Sequence, residues 1–241
     1  RNTQRLLSYF GIQKPLVSYH EHNKSERGEK ICERLLFGES CALVTDAGTP
    51  AISDPGEDLV RLCAERGIPV TSIPGACALI TALTLSGLPT ARFVFEGFLP
   101  VTKKERRERL ELLASETRTF ILHEAPHKLH TTLEDLSKAL GGERRISLCR
   151  ELTKLNEEIC RTTIEGAIEI YSEKEPRGEY VLVIEGGSDV GAGKNKAASF
   201  ETPEEAVAHF MSEGMSRNDA IKAAAKELGM SRNELYAMLI K

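Results

Sequence analysis

The chain has 241 residues, 41% of them hydrophobic and 28% charged, and carries a formal net charge of −4. That length allows two domains and a sizeable core, and no apolar run approaches the roughly 18 residues needed to cross a bilayer. The acidic balance argues against a protein that coats nucleic acid without specificity, and no secretory signal is visible.

Short apolar runs alternate with longer amphipathic ones, the pattern of an α/β domain. The first predicted strand is near Leu16 to Tyr19, and Ser25 is the predicted cap of a helix that reaches Phe37 and stops at Gly38. The next strand, Cys41 to Thr45, runs into the loop Asp46-Ala47-Gly48-Thr49-Pro50-Ala51-Ile52-Ser53-Asp54-Pro55-Gly56. Glycines there let the backbone approach a ligand, prolines restrict φ, and the Asp, Ser and Thr oxygens offer fixed acceptors. An ordinary turn into a helix opened by Pro55 is the competing reading. A strand near Pro69 to Ile73 leads into Pro74-Gly75-Ala76-Cys77-Ala78, a turn before a helix whose free amides suit a carboxylate or an adenine edge.

The strand near Arg92 to Glu96 precedes Phe98-Leu99-Pro100 and then Lys103-Lys104-Glu105-Arg106-Arg107-Glu108-Arg109. This basic run is either the solvated face of a helix continuing through Leu110, Leu112 and Leu113, or a contact for RNA. A strand near Thr119 to His123 ends in His123-Glu124-Ala125-Pro126-His127-Lys128, and one near Arg145 to Cys149 ends in Arg150-Glu151-Leu152-Thr153-Lys154. Strands near Ile159 to Ile164 and Tyr180 to Glu185 follow, with little helix before the first of them, which predicts an antiparallel portion. Residues 1–96 and 97–186 therefore read as two α/β lobes with a cleft between them.

Residues 187–199 read as a linker, and 200–241 as a helical module. Thr202, Ser216 and Ser231 each stand three residues before a carboxylate and predict three capped helices. A helix-turn-helix would put Arg232 at the start of the last one. Five Lys/Arg against seven Asp/Glu in this module leave a protein-binding bundle equally open. Six cysteines (Cys32, Cys41, Cys63, Cys77, Cys149, Cys160) without a Cys-x-x-Cys pair point to reduced thiols in a cytoplasm and to no metal site. The P-loop, dinucleotide, nucleophile-elbow and zinc-helix motifs are missing from the sequence. A metal-dependent phosphatase using Asp46 and Asp54, and an RNA protein that only binds, remain as competing classes.

Six segments in order, DAGTPAISDPG (46–56), IPGA (73–76), FEGFLP (95–100), EAPHK (124–128), RELTK (150–154) and GEYVLVIEG (178–186), resemble the ribosomal small subunit methyltransferase I family of the tetrapyrrole methylase superfamily. The resemblance spans essentially the whole chain. It implies a two-lobed class III S-adenosylmethionine methyltransferase fold plus a small helical C-terminal domain. The implied enzyme is a cytoplasmic homodimer that methylates the ribose 2′-oxygen of a decoding-centre cytidine in bacterial 16S rRNA. A tetrapyrrole or other small-molecule methylase of the superfamily is the alternative. The family's opening strand and Pro-Thr-Pro-Ile-Gly-Asn-Leu loop would precede Arg1.

By the same resemblance, Asp46, Gly48, Thr49, Pro50, Ile52, Gly75, Ala76, Cys77, Ala78 and Leu152 would hold the cofactor. Glu124, His127, Glu151 and Lys154 would lie near the acceptor hydroxyl. Lys103, Lys104, Arg106, Arg107, Arg109, Arg150 and Arg232 would contact RNA.

Overall fold

Five of the predicted strands form, and all of them lie in one sheet. The computed structural model describes residues 2–46, 48–187, 202–212, 215–228, 230, 235–236 and 238–239. The chain divides into two units, Arg1–Asp189 and Val190–Lys241.

In the first unit, α1 (Asn2–Tyr9), α2 (Lys24–Leu36), α3 (Gly56–Glu65) and α4 (Ala78–Ser86) precede the sheet. Then come β1 (Phe93–Gly97), α5 (Lys103–Ala114), β2 (Thr119–Glu124), a 3₁₀ turn at Pro126–Lys128 and α6 (Leu129–Leu140). The unit closes with β3 (Arg145–Arg150), β4 (Glu158–Thr163), α7 (Ile164–Glu173) and β5 (Tyr180–Ile184). The sheet order is β1-β2-β5-β3-β4. β1 and β2 are parallel, while β5 runs antiparallel to both β2 and β3, and β4 antiparallel to β3, so the antiparallel portion predicted from the late strands is present.

Strand alternation assigns the two faces. Phe120, Leu122, Leu148, Leu182 and Ile184 point toward α5, α6 and α7, and this face carries the larger core. Ile121, Cys149, Val181 and Val183 point the other way and are covered by Leu79, Ala82 and Leu83 of α4. Because β1 pairs with Thr119–Leu122, the expected lobe boundary at 96/97 falls inside a strand of the sheet.

The strands predicted at 16–19, 41–45 and 69–73 do not form; these segments carry no regular secondary structure. A buried parallel strand needs both faces covered. Here only one side is: Leu43 packs on the small cluster of Cys32, Leu59 and Cys63 between α2 and α3, whereas Val44 is 54% exposed and Val70 53%. The predicted Ser25 cap is also displaced. The helix starts at Lys24 behind Asn23, whose side chain faces backwards, accepting from His20 N at 2.8 Å and donating to Ser18 O at 3.2 Å.

In the second unit, α8 (Pro203–Ser212) and α9 (Arg217–Glu227) pack through Ala206, Val207, Ala220, Ile221 and Ala224. Two of the predicted caps are present: Thr202 Oγ1 accepts from Glu205 N at 3.3 Å and Ser216 Oγ from Asp219 N at 3.3 Å. The third cap at Ser231, Arg232 beside it, and linker residues 188–199 lie outside the described residues. Among the described residues no helix is long and apolar enough to cross a membrane.

Candidate active site

Sheet register brings the sequence motifs to one edge. Glu124 at the end of β2 pairs with Tyr180, and Tyr180 with Arg150 at the end of β3. β1 is parallel to β2, so Gly97, Glu124 and Arg150 all end their strands on the same side, where α/β sheets place ligands. The loops after these strands, 98–101, 125–128 and 151–157, therefore share that edge.

The two earlier loops join them. Thr49 Oγ1 donates to Ala76 O at 3.0 Å, tying the 46–56 loop to the turn before α4. Ser53 of the same loop comes up against Gly97, where an added Cβ would lie 3.8 Å from Ser53 Oγ. Cys77, Phe95 and Leu152 all pack on the α4 side of the sheet. Asp54 fixes the 46–56 loop internally, its two oxygens accepting from Ala51 N at 2.9 Å and Gly56 N at 2.6 Å. That use of both oxygens leaves a poor metal ligand and explains the presence of an acid in the loop.

Backbone strain marks the same places. Among the described residues the non-glycine residues with positive φ are Ala51 (65°), Ser53 (58°), Glu151 (50°) and Thr153 (65°). Each costs about 1–2 kcal/mol in the left-handed region, and all four fall in two of the loops gathered at the edge.

The acceptor-side candidates separate. Glu151 Oε1 and Lys154 Nζ form an ion pair at 2.9 Å on the turn after β3, with Lys154 exposed. His127 is exposed on the turn after β2. Glu124 lies on the opposite face, 3% exposed, under α6. Its Oε1 accepts from Ala125 N at 2.8 Å and its Oε2 from Thr132 Oγ1 at 2.5 Å. Thr132 Oγ1 in turn accepts from Arg106 at 2.8 Å, and Arg106 Nε donates to Asp135 at 2.7 Å.

Arg106 is thereby drawn inward, its side chain 16% exposed, and the reason is the helical period: it shares the inner face of α5 with Leu110 and Leu113. Arg150 is likewise internal, pairing with Glu158 at 2.7 Å, and Glu158 is held below the usual carboxylate range by Lys174 and Arg150. Lys103, Lys104, Arg107 and Arg109 stay on the exposed face, Arg109 within 3.4 Å of Glu96.

Residues 1–168 match the tetrapyrrole (corrin/porphyrin) methylase family. A ribosomal RNA small subunit methyltransferase I from Synechocystis sp. is 44% identical over 241 residues, covering 100% of this chain and 85% of that protein. The chain belongs to the ribosomal RNA small subunit methyltransferase I family. Two solved structures share the fold of this methyltransferase family member. The methyltransferase CobJ superposes with a TM-score of 0.55 at 17% identity, over 73% of this chain and 75% of that one. Uroporphyrin-III C-methyltransferase from Thermus thermophilus, solved with S-adenosyl homocysteine, gives 0.51 at 19% identity, over 76% and 80%. This family member thus has the tetrapyrrole methylase fold, a mixed α/β sheet flanked by helices, and its second unit carries the helices α8 and α9.

One residue of the strand-end motifs, His123, is not among the expected site residues but sits at this edge. His123 precedes Glu124 and so faces the α4 side with Ile121. Its ring meets Phe95 edge-on at 5.0 Å and Phe98 at 5.6 Å, and its buried Nε2 has no hydrogen-bond partner among the described residues. Burial pushes its pKa down, against the smaller opposing pull of Glu179. Counting forward by twos from Phe120 and Leu122 puts Glu124 on their face and His123 on the other.

Proposed function

We propose that this chain uses S-adenosylmethionine to methylate the ribose 2′-oxygen of a cytidine in the decoding centre of 16S rRNA. The relative from Synechocystis sp. is named for small-subunit ribosomal RNA, which supports the substrate class. The observation that carries the reading is the Thr49 to Ala76 bridge, since it joins the two loops with the most ligand-holding character.

The residues fit the donor. Gly48 has φ +73°, and a Cβ there would meet only Ala76 O, at 3.6 Å, so the loops cross without filling the space between them. Gly75, Ala76 and Ala78 are exposed, and Cys77 caps α4 without a side-chain bond. The free amides of that helix start suit a carboxylate or an adenine edge. Asp46, Gly48, Thr49, Pro50 and Ile52 would line the methionine part, and Gly75, Ala76, Cys77, Ala78 and Leu152 the remainder. Bound there, S-adenosylmethionine supplies an electrophilic methyl group on a sulfonium.

The chain's main task is alignment, which contributes about 7–11 kcal/mol against roughly 3–5 kcal/mol for a general base. Glu151 is the assigned acceptor of the 2′-hydroxyl proton, with Lys154 as its paired cation and His127 nearby on the adjacent turn. Glu124, buried under α6, positions that turn through Ala125 N. Lys103, Lys104, Arg107 and Arg109 would meet the RNA backbone, and Arg232 is the proposed contribution of the C-terminal module. The reading includes a cytoplasmic homodimer with two α/β lobes, 1–96 and 97–186.

Small subunits from a strain lacking this enzyme, incubated with methyl-labelled S-adenosylmethionine, should gain one 2′-O-methylcytidine. An unlabelled rRNA, with label passing instead to a tetrapyrrole, overturns the reading.

A further inference from the structure

A groove of about 630 Å³ runs between α5 and α6 on the face away from α4. Its lining combines apolar Pro100, Val101, Leu110 and Ala139 with cationic Lys103, Arg107, Lys128 and Lys138, beside Glu111 and Asp135. Lys103 and Lys128 have no ion-pair partner among the described residues, and both are exposed. Arg107 and Lys138 add two more charges, held only by exposed helical pairs at 3.6 and 3.9 Å to Glu111 and Glu134. Such pairs are worth little and exchange readily for a stronger anion. Asp135 is already neutralised beneath them by Arg106.

We propose that this groove holds the sugar-phosphate backbone of a single-stranded RNA segment flanking the methylated nucleotide. The proposal rests on the reading of the substrate as rRNA. Three observations select this occupant. Lys103 and Arg107 are one helical turn apart on α5, and Lys128 caps the start of α6 while Lys138 lies in its last turn, so cationic groups run along the length of the groove. Among the described residues no aromatic side chain lines it, so the groove offers no platform for stacked bases and suits backbone contacts. Finally, β1 and β2 are parallel, so α5 and the Pro126–Lys128 turn both start at the sheet edge where the candidate site lies. The start of α5 adds positive potential at that end. A strand lying in the groove is led to the acceptor site without reporting its own sequence.

The test uses the full chain and two variants, K103A/K128A and the charge-preserving K103R/K128R, with a single-stranded RNA of the flanking sequence scrambled in base order. Losing two phosphate contacts should weaken binding roughly 20-fold near 0.1 M salt and flatten the log–log salt slope by about 1.4. K103R/K128R should bind like the parent, and S-adenosylmethionine affinity by calorimetry should be unchanged in both. Unaltered affinity and slope in K103A/K128A, while the parent still methylates rRNA, overturn the groove and leave the function standing. Displacement of RNA by polyglutamate at equal charge concentration also overturns it, in favour of an acidic protein partner. A parent that neither binds RNA nor methylates rRNA defeats the functional reading itself.

Discussion

His123 and Glu124 are neighbours in sequence and face opposite ways, and their chemistry differs accordingly. The carboxylate is fully engaged by Ala125 N and Thr132 Oγ1, whereas the imidazole Nε2 is buried between two phenylalanines without a partner among the described residues. A histidine whose folded pKa lies below its unfolded value near 6.5 binds fewer protons when folded, so its neutral form stabilises the protein fully above that pH. That contribution is lost as pH falls below about 6.5, toward the depressed folded value. His123→Phe should remove this slope and keep the aromatic contacts. Urea unfolding at pH 7.5 and 5.5 checks it, and an equal loss of stability in parent and variant would count against His123 as the titrating group. The family resemblance puts Glu124, with His127, Glu151 and Lys154, near the acceptor hydroxyl. The burial of Glu124 depends on Thr132 and Arg106, which come from two other helices and leave no mark on the motif itself.

At the scale of elements, the late strands were readable because each carries apolar residues on both faces and has a partner in the same sheet. The early ones had the same composition, but Val44 and Val70 keep one side open, and composition does not record whether a second layer arrives. The loops were legible as loops. What the sequence could not announce is their meeting, since Thr49 and Ala76 are 27 residues apart. Removing that single hydrogen bond tests how much the meeting matters. Thr49→Val should cost about 1 kcal/mol of pocket organisation, or roughly fivefold in S-adenosylmethionine affinity, with little change in melting temperature. Calorimetric titration beside a thermal melt separates the two, and unchanged affinity would dissociate this bridge from the donor site. The strained Ala51, Ser53, Glu151 and Thr153 belong to the same description: loops held in costly conformations by their surroundings.

For the whole molecule, the sheet and its helices own one set of core residues and the C-terminal helices another, built from Ala206, Val207, Ala220, Ile221 and Leu235. A chain with two separate cores should unfold in separable steps. A fragment ending at Gly187 should therefore melt cooperatively, within a few degrees of the corresponding transition in the full chain. A fragment with no cooperative transition would show that the first unit depends on the second. The Arg106–Thr132–Glu124 chain of hydrogen bonds acts across this first unit as well. It clamps α5 to α6 and both to the end of β2, so the spacing between the two helices is set before any ligand arrives. RNA entering between them finds a gauge already cut to width and loses no protein entropy in setting it. A change at a hidden threonine can then alter affinity from below, with no exposed atom replaced.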